Sequence, residues 1–282
     1  MGIIVNTNIA SMMVQQNLSN ATSSIRQSVE RLSTGSKINS AADDAAGLSI
    51  SQSLQAQVRG TTVAQTNAQT GVNLLQTAEG DLGVIQTNLQ RIRDLSVQAA
   101  NGTYGTAERT AILSEVQQRI NEISRTANSS AFNSIRLLNG TSTTLSLQIG
   151  ANYNASATSL NTLTIGTPLK SATATQLGLG SASAYFINSI KAASFISLVD
   201  TSISTISANR STIGSLQNRL SSAINSLSVR NTNLTAAESQ ITDTDIAQES
   251  ASLTKEQILQ QASASLLTQA NSAPKIALTL LQ

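Results

Sequence analysis

The sequence predicts a mainly α protein, an elongated antiparallel helical bundle or coiled coil with a small β-hairpin region. Three observations support this prediction. Apolar residues recur at alternating steps of three and four in both halves of the 282-residue chain, which is the period of an amphipathic helix. The middle of the chain is mostly Ser, Thr, Gly and Asn, with little charge. With three Tyr, three Phe and no Trp, the chain has few side chains for a thick globular core.

The longest apolar stripe lies in the second half of the chain and is interrupted at Arg210, Gln217 and Asn231. An average apolar spacing of 3.5 residues favours supercoiled helices. Residues 196–234 would span about 58 Å as a single helix, so this stripe needs a comparably long partner. Its members are Ile196, Val199, Ile203, Ile206, Ile213, Leu220, Ile224, Leu227 and Leu234.

Two stripes in the first half could provide that partner, and three stripes together suggest a bundle. The intervening Asn101, Gly102, Gly105 and Thr106 combine helix-stop residues with a helix N-cap, which predicts a turn between antiparallel helices. One stripe comprises Leu75, Ala78, Leu82, Ile85, Leu89, Ile92 and Ala99, and the other comprises Leu113, Val116, Ile120, Ile123 and Ala127.

Alternating apolar residues in the middle of the chain predict a β-hairpin packed on the helices. The break at Asn152 and Asn154 separates its two strands, and Pro168 follows the second. The alternating residues are Leu145, Leu147 and Ile149, then Leu160, Leu163 and Ile165. After the run Gly178–Ser181, we expect four apolar residues to anchor the entry to the returning helix: Tyr185, Phe186, Ile187 and Ile190.

The composition argues against several classes of function. The formal charge of +2 arises from mixed signs without a basic block, so nucleic-acid binding has no support. The absence of His and Cys removes the usual hydrolase triads, the HExxH zinc motif, thiolate metal sites and disulfides. We therefore expect neither an enzyme nor a bound metal or cofactor. The paired carboxylates Asp43 with Asp44 and Asp243 with Asp245 are interpreted as helix caps.

The chain has no apolar run near the ~20 residues of a membrane span, so membrane insertion is not expected. The first basic residue is Arg26, which leaves the N-terminus without the positively charged start of a secretory signal. If the protein leaves the cytoplasm, we expect it to use a route without a cleaved signal peptide.

Several segments of the chain have a distinctive sequence. The N-terminal ones read IVNTN at 4–8, RLSTGS at 31–36 and INSAADDAAGLS at 38–49. Further ones are QTAEGDLGVIQTNLQRIRDLSVQAANGT from Gln76, FNSIRLLNG from Phe132, and the closing segment from Ile241 to Leu281. Together these segments resemble bacterial flagellin, because they follow the order of that family and cover roughly residues 1–150 and 196–282.

This resemblance implies a structural subunit that polymerises into the extracellular flagellar filament, the propeller of swimming bacteria. In such a subunit the termini pair in a coiled coil that lines the inner tube, and the other helices form a rod. The expected segments are 1–45 (N-terminal inner-tube helix and connector), 46–140 (rod helices), 141–185 (hairpin and loop), 186–240 (returning rod helix) and 241–282 (C-terminal inner-tube helix). The middle is too short for large outer domains.

Apolar residues near both termini are expected to lack partners within one chain, to be disordered before polymerisation, and to become buried on assembly. The alternative is ordinary packing at the ends of a stable bundle. The assembly residues expected are Ile4, Val5, Ile9, Met13, Leu18, Leu259, Leu266, Leu267, Ile276, Leu280 and Leu281.

A connector between the first helix and the long stripe is marked by Gly35, Gly47 and Gly60, each of which weakens a helix by about 1 kcal/mol relative to Ala. The resemblance places Gly35, Asp43, Asp44 and Gly47 where the inner-tube helices join the rod, with the two aspartates as polar contacts or caps. The alternative is a plain linker.

The segment Gln90–Leu95 resembles the flagellin patch that a host Toll-like receptor recognises, and Arg91, Leu95 and Glu115 occupy the contact positions of the family. The same surface also makes subunit contacts in filaments, so these residues need not serve a receptor. The resemblance further implies export apparatus, an export chaperone, and hook-junction and cap proteins as partners.

Three rival functions remain. A flagellin-like hook-filament junction protein shares the helical ends but forms only a short adaptor layer. A coiled-coil surface adhesin or secreted effector would use the Ser- and Thr-rich middle for binding, although its uncharged composition indicates no ligand. An enzyme inserted into a flagellin frame is disfavoured by the absence of His and Cys and by the short middle.

Overall fold

A computed structural model describes residues 7–140, 144–152, 161–165 and 171–279, the last seven by backbone alone. Most described residues are helical, which confirms the mainly α prediction. The helices within these ranges are α1 (Ile9–Thr34), α2 (Ala45–Ala100), α3 (Thr106–Ser129), α4 (Ala182–Tyr185), α5 (Ser189–Thr242) and α6 (Ile246–Thr279). The strands are β1 (Ala131–Phe132), β2 (Ile135–Arg136), β3 (Leu145–Gln148) and β4 (Thr162–Ile165).

The chain divides into two compact units. The terminal unit contains the residues up to Ala56 and those from Asn233 onward, and the central unit is Gln57–Thr232. The boundaries between the two units fall inside α2 and α5, and not at the ends of these helices. The segment boundaries expected from the sequence near residues 45 and 240 lie instead close to helix ends.

The core of the central unit contains the predicted stripes of α2 and α3. Every member of the α2 stripe is buried, as are Val116, Ile120, Ile123 and Ala127 on α3, whereas Leu113 is half-buried. Apolar residues at helical spacing therefore face one another across this unit, as the periodicity requires.

The long stripe on α5 is only partly buried. Val199, Ile206, Ile213, Leu220 and Leu227 are buried at intervals of seven residues, whereas Ile196, Ile203, Ile224 and Leu234 are half-buried. The second buried row of α5 consists instead of Phe195, Ser202, Asn209 and Leu216. Apolar spacing did not predict this row, because two of its four members, Ser202 and Asn209, are polar.

The turn between α2 and α3 lies where the sequence predicted it, between Ala100 and Thr106. The backbone N–H of Thr103 donates to the side chain of Asn101 at 3.2 Å. The predicted cap is wrong by one residue, because Gly105 is the N-cap of α3 and Thr106 is already helical.

The predicted β-hairpin is confirmed as the antiparallel pair β3 and β4, with Leu145 opposite Ile165 and Leu147 opposite Leu163. It approaches α2 at Gly71, where an added Cβ would lie 2.3 Å from Cδ1 of Leu147. A glycine on α2 therefore makes room for the hairpin. The predicted hairpin residues Asn154, Leu160 and Pro168 lie outside the described residues.

A second, shorter hairpin was not predicted. Strands β1 and β2 pair through Phe132 and Ile135, and the two residues between them, Asn133 and Ser134, have φ values of 46° and 66°. Positive φ at both central residues is typical of the tight turns that suit the twist of a hairpin.

Aromatic residues anchor the entry to α5. The ring of Phe195 lies 5.3 Å from that of Tyr185 and 5.5 Å from that of Phe186, which is buried. The anchoring role predicted for Ile187 and Ile190 is wrong, because both side chains are exposed. They lie on the side of the chain that does not contact this cluster.

In the terminal unit, α1 packs antiparallel against α6. Side chains at both ends and in the middle define the pairing. Asn8 donates to the carbonyl oxygen of Ala270 at 2.8 Å, and Gln260 donates to Thr22 at 3.3 Å. No described helix has the length and apolar character needed to cross a membrane.

Candidate assembly surface

The paired terminal helices have very different inner and outer faces. On α1, only Ala21 and Ser28 are buried among the described residues. Large apolar side chains on both helices are instead exposed: Ile9, Met12, Met13 and Val29 on α1, and Ile246, Ile258, Leu259 and Leu266 on α6. Exposed apolar side chains in this number are typical of a surface that contacts another molecule.

The predicted assembly residues fall into four groups. Ile9, Met13, Leu259 and Leu266 are exposed, whereas Leu18 and Leu267 are half-buried. Ile276 lies in the part of α6 described by backbone alone. Four predicted residues lie outside the described ranges: Ile4, Val5, Leu280 and Leu281.

Sequence reasoning missed Val29, Ile246 and Ile258 as members of this exposed surface. Ile258 immediately precedes the predicted Leu259, but only one of two adjacent residues was assigned to the apolar stripe of α6. An apolar residue next to a complete stripe was the available signal, since it widens the apolar face of a helix beyond what one partner covers.

An open groove of about 440 Å³ lies between α1 and α6. Small residues line it, among them Ala21, Ser24 and Ala262, together with the larger Leu259 and Leu266. The two helices therefore leave space along their own contact that a side chain from another copy could fill.

The connector contains two hydrogen-bonded segments, which we term the connector clasp: residues 35–37 and 242–244. Ser36 forms a β-bridge with Asp243. The N–H of Lys37 donates to the carbonyl oxygen of Thr242 at 2.7 Å, and the N–H of Thr244 donates to that of Gly35 at 2.9 Å. These bonds give the predicted connector a defined structure.

Gly35 ends α1 in a left-handed conformation, with φ 72°. Its N–H donates to the carbonyl oxygen of Arg31 at 2.9 Å, as in a common helix C-terminal cap. A residue with a side chain would be strained at this φ, so this glycine has a conformational role.

The carboxylates of the connector bind backbone N–H groups. Asp43 accepts from the N–H of Ser40 at 2.9 Å and from that of Asn39 at 3.2 Å. The bond from the Ser40 N–H is the largest of the effects that lower the pKa of Asp43. Asp44 accepts from the N–H of Gly47 at 2.9 Å and so satisfies the start of α2.

Gly47 and Gly60 lie inside α2 and do not extend the connector. A Cβ on Gly47 would lie 2.4 Å from a carboxylate oxygen of Asp44, so the glycine leaves space for the cap. At the other end of the connector, Asp245 caps α6 by accepting from the N–H groups of Ala247 and Gln248. No metal-holding group of three or more acidic residues occurs among the described residues.

Of the three residues predicted to contact the receptor, only Arg91 and Glu115 lie at the surface. Both nitrogens of an Arg91 fork donate to the Glu115 carboxylate, at 2.9 and 3.2 Å. This hydrogen bonding lowers the pKa of Glu115 and raises that of Arg91. Leu95, however, is buried in the core of the central unit, at 3% exposure. The structure therefore brings Arg91 and Glu115 together at the surface and places Leu95 beneath it.

Several relatives align with this chain over nearly the whole of both sequences. A flagellin of Halalkalibacterium halodurans is 39% identical over 284 residues, covering 99% of this chain and 100% of that protein. A flagellar filament 33 kDa core protein of Treponema phagedenis is 36% identical over 292 residues, with coverage of 99% and 100%.

A solved structure shares the fold. A putative flagellar hook-associated protein from Vibrio parahaemolyticus superimposes with a TM-score of 0.60 at 14% identity, covering 71% of this chain and 100% of that one.

The sequence matches the bacterial flagellin N-terminal helical region over residues 5–143 and the C-terminal helical region over residues 196–281. These two matches and the full-length relatives show that the chain belongs to the bacterial flagellin family.

Proposed function

We propose that this chain is the structural subunit of a bacterial flagellar filament and polymerises through the exposed apolar residues of α1 and α6, both those that point outward and those that line the groove between the helices. The supporting observation is the exposed apolar surface on two helices that already pair with each other. Burying one large apolar side chain contributes about 2 kcal/mol, so several such residues per copy can drive association.

The terminal unit has two different surfaces, a groove and a set of outward apolar side chains, and a contact between unlike surfaces determines the kind of polymer that forms. A contact between two different surfaces of the same chain does not have to close, and when it does not it generates a helical filament. The groove between α1 and α6 and the outward Ile9 of α1 are two such surfaces in the terminal unit. The filament is therefore expected to grow by repeating one heterologous contact.

The test is seeded polymerisation of purified chain, imaged by negative-stain electron microscopy. The double variant Ile9→Ser/Leu266→Ser is expected to remain monomeric. The control Ile187→Ser/Ile190→Ser removes two apolar residues of the central unit that are similarly or more exposed, at 58% and 78% against 59% and 57%, and is expected to polymerise. A truncation lacking residues 1–40 and 242–282 is also expected to stay monomeric. Equal polymerisation by all of these chains would refute the proposed surface.

The monomer is proposed to open α1 and α6 before assembly. The small number of buried residues on α1 supports this, because a helix pair with little buried apolar surface unfolds locally at low cost. Limited trypsin digestion tests it at Arg26 and Lys255. Cleavage in monomer and protection in filament are expected, whereas protection in both states would favour stable packing at the ends of the bundle.

The family also suggests partners beyond the chain itself. Export apparatus, an export chaperone, and hook-junction and cap proteins are proposed, with the filament outside the cell. An exposed apolar surface supports the need for a chaperone before assembly. Short stacks in place of long filaments would support the junction-protein alternative, but relatives matched over their full length favour the filament subunit.

Recognition by a Toll-like flagellin receptor is proposed at Arg91 and Glu115, with Leu95 supporting the surface from below. The ion pair with Glu115 supports this, since it holds the half-exposed guanidinium of Arg91 in a fixed geometry from which its remaining N–H groups can donate to a partner. In a reporter-cell assay, Arg91→Ala is expected to lose activity while Arg125→Ala, which breaks a comparable exposed ion pair with Glu122, retains it. Equal loss, or an inactive folded monomer, would overturn the assignment.

A further inference from the structure

The sulfur chemistry of the chain is concentrated at one place. The sequence contains three Met and no Cys, and two of the three are the adjacent residues Met12 and Met13 on α1. Their side chains are 60% and 64% exposed. Both thioethers in the described part of the chain are therefore open to solvent.

These thioethers lie on the proposed assembly surface. Ser11 donates to Asn271 of α6 at 2.8 Å, so this position of α1 faces its partner helix. Met12 and Met13 follow Ser11 and are exposed, as is Ile9. Residues three and four apart are neighbours on a helix, so Ile9, Met12 and Met13 form one apolar strip.

Oxidation would change this strip without breaking the chain. A thioether sulfur attacks one oxygen of a peroxide, the O–O bond breaks, an S–O bond forms, and the other oxygen leaves as water after taking up a proton. The sulfur loses two electrons and the peroxide gains them. The sulfoxide is polar and chiral, and it disrupts apolar contacts that rely on Met.

We propose that Met12 and Met13 form an oxidation site at which a peroxide-class oxidant converts the unassembled subunit into a form unable to polymerise. This inference rests on the proposed filament function. The other large exposed apolar residues among those described are Ile, Leu and Val, which peroxide leaves unchanged. Within the described part of the chain, the change is therefore confined to the surface that assembly needs.

Burial on assembly makes oxidation selective for free subunits. In the filament the outer face of α1 is covered, so the same thioethers become inaccessible to the oxidant. Oxidation then removes free subunits and spares those already incorporated. Because enzymes reduce methionine sulfoxide, the block is reversible.

The experiment treats purified monomer with hydrogen peroxide, locates the sulfoxides by tandem mass spectrometry, and measures the critical concentration for seeded polymerisation. Oxidation of both residues is expected to raise that concentration about tenfold or more. Methionine sulfoxide reductase with dithiothreitol is expected to restore the original value. In preformed filaments, peroxide is expected to oxidise Met12 and Met13 at least about tenfold more slowly.

The matched control is the double variant Met12→Leu/Met13→Leu, which keeps the volume and apolar character of both side chains. It is expected to polymerise equally well with and without peroxide. Met12→Gln/Met13→Gln, which is polar without oxidation, is expected to polymerise as poorly as the oxidised chain.

Two results would overturn the inference: normal polymerisation of chain carrying both sulfoxides, or equal inhibition of the leucine variant by peroxide. A failure of the proposed function is distinguishable, because the untreated chain would then stay monomeric with competent seeds.

Discussion

Arg210 on α5 donates a hydrogen bond of 2.6 Å to the side-chain oxygen of Gln86 on α2. Its second terminal nitrogen lies 3.6 Å from the carboxylate of Glu79. One heptad further along α5, Gln217 donates to the same carboxylate at 3.1 Å. Two of the three residues that interrupt the apolar stripe of α5 thus bind two residues of α2 that are also seven apart.

These contacts define the register of the two helices. A slide of one heptad toward the C-terminus of α2 would bring Arg210 opposite Arg93, and two like charges would replace a hydrogen-bonded pair. A slide in the other direction would separate Arg210 from Gln86 and Gln217 from Glu79. In the observed register Arg93 instead pairs with Asp200 at 2.6 Å. Polar residues at otherwise apolar positions commonly specify the register of paired helices.

Replacement of Arg210 tests this role. Arg210→Ala is expected to lower the free energy of unfolding by about 1 kcal/mol, because the bond to Gln86 and the ion pair with Glu79 are lost at half-exposed positions. Guanidinium chloride denaturation followed by circular dichroism measures it. The control Arg219→Ala, at an exposed position on the same helix, is expected to change stability by less than about 0.5 kcal/mol. Equal effects would contradict the role of Arg210.

The aromatic cluster at the start of α5 is expected to be a major source of stability. Phe195→Ala should cost about 3–5 kcal/mol, because it removes a fully buried ring and its contacts with Tyr185 and Phe186. Thermal unfolding provides the measurement. Ile190→Ala, at the exposed start of the same helix, is the control. A loss as large for Ile190 would show that this part of α5 is packed differently.

The ion pair of Arg91 with Glu115 predicts an acid-sensitive contribution to stability. The folded protein lowers the pKa of Glu115, so the unfolded chain binds a proton there first. The contribution is therefore complete above the ordinary pKa of glutamate and disappears as pH falls through the lowered value.

When the pH is lowered from neutral to below the pKa of Glu115, the melting temperature of the Glu115→Gln variant is expected to fall by less than that of the unmodified chain. Glu30→Gln, at an exposed residue without an ion pair among those described, should retain the acid sensitivity of the unmodified chain. If the melting temperatures of Glu115→Gln and the unmodified chain fall in parallel, the ion pair contributes nothing measurable.

The cap of α2 is expected to be local in its effect. Asp44→Ala should destabilise the first turn by about 1 kcal/mol, because the Gly47 N–H loses its acceptor. Hydrogen exchange at the Gly47 amide measures this directly. Asp44→Ser supplies another capping oxygen and is expected to keep the exchange slow. Fast exchange in both variants would mean that the charge of Asp44, and not its hydrogen bond, is required.

The sequence predicted the helices of the central unit well because burial there follows apolar periodicity. Leu82, Ile85 and Leu89 recur at helical spacing, and all three are fully buried. Burial of apolar surface is the dominant favourable term in folding, so such a pattern predicts both the helix and its buried face.

The second buried row of α5 could not be predicted in the same way. Ser202 is buried because its hydroxyl donates to the carbonyl oxygens of Leu177 and Leu198, both at 2.9 Å. Asn209 is also buried, although its side-chain nitrogen has no hydrogen-bond partner among the described residues. A buried polar residue is usually hydrogen-bonded, but Leu177, one of the two acceptors of Ser202, lies on another segment and is invisible in a spacing pattern.

Contacts that depend on three-dimensional pairing were also beyond sequence reasoning. Leu95 is an exception, because the resemblance assigned it to a surface although it lies three residues after Ile92 and four before Ala99, a core spacing that the predicted stripe left out. The connector residues were identified, but nothing local indicates that Ser36 pairs with Asp243.

The connector clasp also determines when the terminal unit can form. The ammonium group of Lys37 donates to the carbonyl oxygen of Gln240 at 2.8 Å across 203 positions of sequence. The N-terminal half of this contact is synthesised early, but its partner exists only after the central unit is complete. Loop closure over this distance delays folding. The residues of α1 thus leave the ribosome long before those of α6, so α1 stays without its partner while the whole central unit between them is being synthesised.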